Sequence, residues 1–261
     1  MALGYEVADG LAVITLDRPE VLNSFNDELG KAALVAVQEA SADDSIRCIV
    51  ITGAGRAFSA GEDLGALQEG YSAGTVPDLG ATLIERYNPL IRAIREAPKP
   101  VVAAVNGAAA GAGASVALAC DFRIASEKAK LAVAFIKVGL VPDSGGLWFL
   151  TRMIGESRAW ALAATGDPID AEECSRLGIF HEVLPADSFE EGWRERAAAI
   201  AQGPTVAYGL TKSLLHQAAE VTLDDQLEAE VPGQSKAGRS SDHLEGVRAF
   251  LEKRPPNFTG S

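Results

Sequence analysis

Three stretches of the chain carry residues that could do chemistry. The first holds Asp143, a lone carboxylate in Val138-Gly139-Leu140-Val141-Pro142-Asp143-Ser144-Gly145-Gly146, with Trp148 and Phe149 just after it. Desolvated among such neighbours, a carboxyl keeps its proton to higher pH and can serve as a base near neutrality. Aspartate ahead of a helix also reads as an N-cap, and local chemistry alone favours that reading over the base. The other two stretches are loops of small residues, each following an apolar run. They are Ala57-Phe58-Ser59-Ala60-Gly61-Glu62-Asp63-Leu64 and Asn106-Gly107-Ala108-Ala109-Ala110-Gly111-Ala112-Gly113-Ala114-Ser115. A strand that passes through small residues into a helix leaves N–H groups unpaired at the helix start, where the partial charge is positive. Two such groups, one from each loop, could aim at one oxygen and stabilise charge developing on it. Tight strand–helix packing would call for the same small residues. Gly111-Ala112-Gly113 also matches part of a dinucleotide loop, but the third glycine is missing and the position is mid-chain.

The remaining reactive residues suggest less. Glu62 and Asp63 are adjacent carboxylates, which an extended backbone sends in opposite directions. Asp63 also suits the cap of a following helix. Of the three histidines, His181 sits in an apolar run and reads as packing, while His216 and His243 lie on polar helical stretches. No Ser–His–Asp arrangement follows from them. Cys48, Cys120 and Cys174 are far apart with no Cys-x-x-Cys pair, so neither a metal site nor a disulfide framework is expected. A reducing, cytoplasmic setting fits that usage. Lys253 and Arg254 near the tail could meet a phosphate, or form a solvated face.

Alternating strands and helices must position these groups. Tyr5-Glu6-Val7, a turn at Asp9-Gly10 and Leu11–Leu16 form a hairpin pattern. Asn26 suits an N-cap for a helix whose apolar positions include Leu29, Ala33, Val37 and Ala40. Cys48–Thr52 and Val101–Val105 read as buried strands, and Leu83–Ala97 as the helix between them. Residues 65–82 hold four glycines, Gly65, Gly70, Gly74 and Gly80, and read as a mobile loop. Phe122–Ala125 and Leu131–Val133 read as short strands. From Ser144 onward the pattern is helical, ending in Leu244–Lys253 and a loose Pro255-Pro256 tail. No repeat or low-complexity segment stands out.

The 261 residues are enough for one large domain, and 23 basic against 36 acidic residues give a net charge of −13. An acidic surface disfavours nucleic acid and anionic membrane, while a small anionic ligand needs only a local cluster of cations. The start of the chain has neither the basic nor the apolar region of a signal peptide. Val101–Cys120, interrupted by Asn106 and rich in glycine and alanine, reads as buried structure rather than a membrane span.

Five ordered motifs point further. They are Leu16-Asp17-Arg18-Pro19-Glu20-Val21-Leu22-Asn23, Phe58–Leu64, Lys99–Gly107, Ala119–Ala125 and Glu245–Arg254. Together they resemble the enoyl-CoA hydratase/isomerase, or crotonase, superfamily over nearly the whole chain. The resemblance implies an α/β fold, a crotonase-like spiral of ββα repeats with a C-terminal helical trimerisation region. Residues 1–198 would form the spiral core with the CoA and active sites, and residues 199–261 the helical region. The partner would be an acyl-CoA thioester, with CoA entering as part of the substrate and no separate cofactor. A homotrimer or dimer of trimers would follow.

The oxyanion hole maps to the N–H groups of Ala60 and Ala112, the second position being glycine in most of the family. The two glutamates of the hydratases fall on Ser115 and Phe135, neither of which transfers protons as a carboxylate does. Asp143 falls where some isomerases place a catalytic aspartate, and its surroundings resemble the epoxyphenylacetyl-CoA isomerase branch most closely. The implied reaction is therefore a double-bond shift, or the opening of a ring epoxide, through an enolate. A hydratase and a non-catalytic acyl-CoA-binding or protein-interaction member are the alternatives. Phe58, Gly61, Glu62, Asp63, Leu64 and Gly111 would surround the substrate. Phe135, Val141 and Trp148 would keep the site dry, with Phe25, Leu67 and Tyr87 as acyl-pocket walls. Arg18 and Lys253 would meet the CoA phosphates.

Overall fold

Strands β2 (Leu11–Leu16), β3 (Cys48–Gly53) and β5 (Val101–Val105) are near-continuous apolar runs, and almost every residue in them is buried. That pattern belongs to parallel strands covered on both faces. The computed structural model describes residues 2–65, 68, 72–75 and 77–261. Among them, β2, β3 and β5 pair in parallel with β7 (Phe122–Ser126) and β10 (Glu182–Leu184), and β1 (Leu3–Ala8) closes the edge as the antiparallel arm of a hairpin. One face of this six-stranded sheet carries Ile49, Ile51, Val101, Ala103 and Val105 against Leu29, Ala33, Val37 and Ala40 of helix Asp27–Ala42. The opposite face carries Val50, Val102, Ala104 and Ile124 against Phe189, Trp193, Ala197 and Ala201 of helix Phe189–Ala201. The first of these helices starts as its sequence requires: Asn26 accepts from the Leu29 N–H at 2.9 Å.

A second, four-stranded sheet is built from β4 (Ala57–Ser59), β6 (Ala108–Ala110), β8 (Lys130–Ala132) and β9 (Ile169–Asp170). Each turn of the chain lays one strand in the large sheet and the next in the small one: β3 then β4, β5 then β6, β7 then β8. Helical segments follow, so the architecture is a spiral of ββα units ending in helices Thr205–Ala218, Leu223–Ala237 and Ser241–Glu252. Helix Ala112–Ala119 runs through the middle with all of its residues buried. Its small side chains are a packing requirement, since a methyl on Gly113 would stand 2.4 Å from the Ser59 carbonyl oxygen.

The structure corrects the sequence reading in several places. β4 and β6 lie inside what reads as two loops. β9 and β10 interrupt the stretch after Ser144, which reads as almost all helix. Leu79–Thr82, expected in a loop, is helical, with Asp78 accepting from the Ala81 N–H at 2.9 Å. It continues through a π-helical turn, Leu83–Tyr87, into helix Asn88–Glu96. Among the described residues no helix is long and apolar enough to cross a membrane.

Two buried lysines tie the layers together. Lys99 Nζ donates to the carbonyls of Ala40, Asp43 and Ile46 at 3.0, 2.8 and 2.8 Å, placing a cation at the end of helix Asp27–Ala42. Lys212 Nζ reaches Asp121 at 2.7 Å and the Ile94 carbonyl at 2.8 Å, which pins helix Thr205–Ala218 to the core. Replacing Lys212 with Met strands Asp121 without its cation. Because Asp121 keeps some solvent, we expect a loss of about 2–3 kcal/mol rather than the full cost of a sealed ion pair, read from the urea midpoint.

Candidate active site

Between the two small-residue loops, the π-helical turn and the 3-10 helix Ala134–Val138 lies a cavity of about 250 Å³. Leu64, Leu79, Leu83, Val138 and Leu140 make it largely apolar. Ala60, Gly111 and Ala112 line it together with Glu62, Tyr87, Phe135 and Asp143.

The loops meet at Gly61, whose φ of +92° is the left-handed region that favours glycine. A methyl there would stand 2.8 Å from the Ala110 carbonyl oxygen and 3.2 Å from the Ala112 nitrogen, so only glycine lets the backbones approach this closely. The first hydrogen bond of helix Ala112–Ala119 runs from the Ser115 N–H to the Gly111 carbonyl. The Ala112 N–H therefore has no acceptor among the described residues, and it carries the positive end of the helix. The Ala60 N–H is already used: it donates to the Leu22 carbonyl at 2.9 Å. The two amides line one cavity, but only Ala112 offers an uncommitted proton.

Asp143 is fixed by its main chain. Its carbonyl accepts from the Ser115 hydroxyl at 3.0 Å and from the Gly146 N–H at 2.9 Å. The helix that follows, Gly146–Ile154, has Gly145 at its N-cap and no side-chain cap. The N-cap reading of Asp143 therefore does not hold. Among the described residues its carboxylate accepts only the Ser144 hydroxyl, at 2.7 Å, and burial pushes its pKa up, opposed by the Ser144 hydrogen bond and reinforced by the charge of Glu62.

Glu62 and Asp63 do diverge. Glu62 faces the cavity, held by both oxygens through Arg86 Nη1 at 2.9 and 2.7 Å and by the Tyr87 hydroxyl at 2.5 Å. Arg86 also pairs with Asp27. Asp63 turns away to Arg18 at 2.8 Å. Nothing in the local sequence marks Arg86, because its partners lie far along the chain; the same holds for Leu79, Leu83, Val138 and Leu140.

Several expected residues stand elsewhere. Phe58 and Phe25 are wholly buried in the core, and Phe25 supports Tyr87 edge-on from 5.7 Å. Arg18 is engaged by Asp63 and by the Ser24 carbonyl at 2.7 Å, so it is not a free cation for a phosphate. Lys253 caps the last helix in a left-handed conformation and does not line the cavity. Val141 is 78 % exposed in the single chain, and Leu140 takes the inward position instead, its N–H bound to the Phe135 carbonyl at 3.0 Å. Trp148 does not dry the cavity; its ring carries the Arg152 guanidinium at 3.8 Å, with Arg95 at 5.6 Å. Leu67 lies outside the described residues. His181 is a packing residue, stacked on Phe122 and accepting from the Arg123 N–H at 3.0 Å, and burial lowers its pKa to about 4.

Comparison with known proteins places this architecture. The sequence model "Enoyl-CoA hydratase/isomerase" matches residues 6–261. The chain is 47% identical over 256 residues to a Rhodobacter capsulatus protein named "Probable enoyl-CoA hydratase", covering 98% of this chain and 97% of that one. It is 45% identical over 254 residues to the 1,2-epoxyphenylacetyl-CoA isomerase of Escherichia coli, covering 97% of each. The crystal structure of an enoyl-CoA hydratase from Polaromonas sp. JS666 superposes with a TM-score of 0.92 at 35% identity, covering 99% of this chain and all of the other. On sequence and architecture alike, the chain belongs to the enoyl-CoA hydratase/isomerase family and has the crotonase fold.

Proposed function

We propose that this enzyme is an acyl-CoA isomerase that moves a proton through Asp143 while backbone amides hold the enolate oxygen. The observation that carries this reading is that the Asp143 carboxylate, which accepts one side-chain hydrogen bond among the described residues, lines the same cavity as the free Ala112 N–H. The thioester carbonyl would accept from Ala112 and from Ala60, whose proton would then be shared with, or released by, the Leu22 carbonyl. Polarisation acidifies the α-proton of a β,γ-enoyl-CoA. Asp143 takes that proton, the electron pair becomes a dienolate with its charge on the thioester oxygen, and the acid returns the proton at the γ-carbon. One carboxylate suffices, because the proton leaves and returns through the same group. A ring epoxide next to an acyl chain offers the same enolate chemistry, and the 45% identical Escherichia coli relative supports it as a second isomerase substrate class.

The residues at the expected glutamate positions support isomerisation over hydration. Phe135 presents a ring, and the Ser115 hydroxyl is spent on the Asp143 main chain. The specific observation favouring a hydratase is Glu62, a second carboxylate on the cavity, but its oxygens are held by Arg86 and Tyr87. The assay that separates the two follows the ultraviolet absorbance of the conjugated enoyl thioester. An isomerase creates it from a β,γ-enoyl-CoA; a hydratase removes it from crotonyl-CoA. Rapid hydration with no double-bond shift would overturn the proposal. Ser115→Ala should cost about 1 kcal/mol of stability, the worth of one buried hydrogen bond, with kcat changed only a few-fold. A large loss of activity there would point to water activation. The exposed Leu223, Phe250 and Leu251 on the C-terminal helices support a homo-oligomer, which light scattering would size.

A further inference from the structure

Glu62 shares the cavity with Asp143, yet the proton shuttle does not use it. Three hydrogen bonds from Arg86 and Tyr87 grip its two oxygens, and Arg86 is itself anchored by Asp27. The Glu62 side chain cannot swing toward a substrate carbon without breaking them. Its role is therefore exerted from where it stands. A fixed negative charge on the wall of a small, largely apolar cavity makes a further carboxyl there harder to ionise. The other groups around Asp143 leave this influence in place. Lys137, from the 3-10 helix, is paired with Asp167 at 2.7 Å. Arg95, from helix Asn88–Glu96, lies over the Phe149 ring at 5.4 Å. Helix Ala112–Ala119 contributes only the neutral Ser115, and that to the main chain.

We propose that Glu62 is a positioning residue: a carboxylate locked by Arg86 and Tyr87 whose fixed charge on the cavity wall sets the pH at which Asp143 exchanges its proton. This deepens the isomerase reading and rests on Asp143 being the shuttle. The upward displacement of the Asp143 carboxyl agrees with it: burial is the main cause, the Ser144 hydrogen bond opposes it, and the Glu62 charge adds a smaller push in the same direction as burial. Asp143 must be ionised to accept the α-proton, so activity falls as pH drops through its pKa. Removing the Glu62 charge moves that acid limb to lower pH. Removing Arg86 leaves the Glu62 charge uncompensated and moves that limb to higher pH.

The test uses Glu62→Gln, Arg86→Gln and Arg86→Lys, with two readouts. One is the pH profile of kcat/KM on a β,γ-enoyl-CoA. The other is the infrared carbonyl band of protonated Asp143 in protein labelled with 13C-aspartate, identified by subtracting the Asp143→Asn spectrum. Glu62→Gln should lower both midpoints by about 0.5–1 pH unit, Arg86→Gln should raise them, and Arg86→Lys should restore them toward wild type. A merely structural role for Glu62 would not give shifts of opposite sign. An infrared midpoint unchanged in Glu62→Gln would overturn the proposal. An infrared midpoint that moves while the kinetic limb stays put would uphold the charge coupling and remove Asp143 from the proton path.

Discussion

Asp143→Asn should lower kcat for the double-bond shift by about 10²- to 10⁴-fold, the worth of a positioned proton acceptor. The substitution is close to isosteric. The amide oxygen can still accept the Ser144 hydroxyl, and the main-chain carbonyl that binds Ser115 and Gly146 is untouched. Because Gly145 and not Asp143 holds the N-cap position, no helix loses its cap, and the melting temperature should stay near wild type. KM should move little, since the pocket walls and the Ala112 amide are unchanged. The expected result is a folded protein that binds acyl-CoA and barely turns it over. Wild-type kcat in this variant would remove Asp143 from the chemistry and leave only the family and the fold.

How much of this was legible in the sequence depends on how local each signal is. β2, β3 and β5 are continuous apolar runs flanked by turn residues, and burial on both faces is written into each residue. β4, β6 and β9 have three residues or fewer, too short to show a period, and they pair with strands distant in the chain. The small residues of both loops were visible, but their two meanings were not alternatives. Gly113 is required by packing against Ser59, and the same close packing leaves Ala112 at the head of a buried helix.

Asp143 could not be decided locally, because an N-cap and a base differ only in where the backbone turns next. Here Ser144 and Gly145, both at positive φ, carry the chain past the cap geometry. The turn at Gly139 likewise puts Leu140 inward, leaving Val141 outside. The Glu62–Arg86 pair spans 24 residues and joins two elements whose meeting no single stretch foretells.

The Ala112 amide can be removed without breaking a helical hydrogen bond, and this gives the second large effect. Ala112 is the first residue of its helix, where proline is tolerated because the N–H has no helical partner and the φ of an α-helix is close to that of the pyrrolidine ring. Gly111 before it has φ 52° and ψ −130°, outside the helical region that a following proline forbids. Ala112→Pro therefore replaces the amide hydrogen with a ring carbon and sets two added methylenes, Cγ and Cδ, at the mouth of the hole. Loss of a single oxyanion donor costs about 10²- to 10³-fold in kcat. The added methylenes should also weaken substrate binding, so kcat/KM should fall by at least that much while thermal unfolding shifts by only a few degrees. Ala112→Gly keeps the N–H and should stay within a few-fold of wild type. If Ala112→Pro were folded and fully active, the thioester oxygen would have to be held elsewhere, and the free Ala112 amide at the head of this helix would be a packing consequence alone.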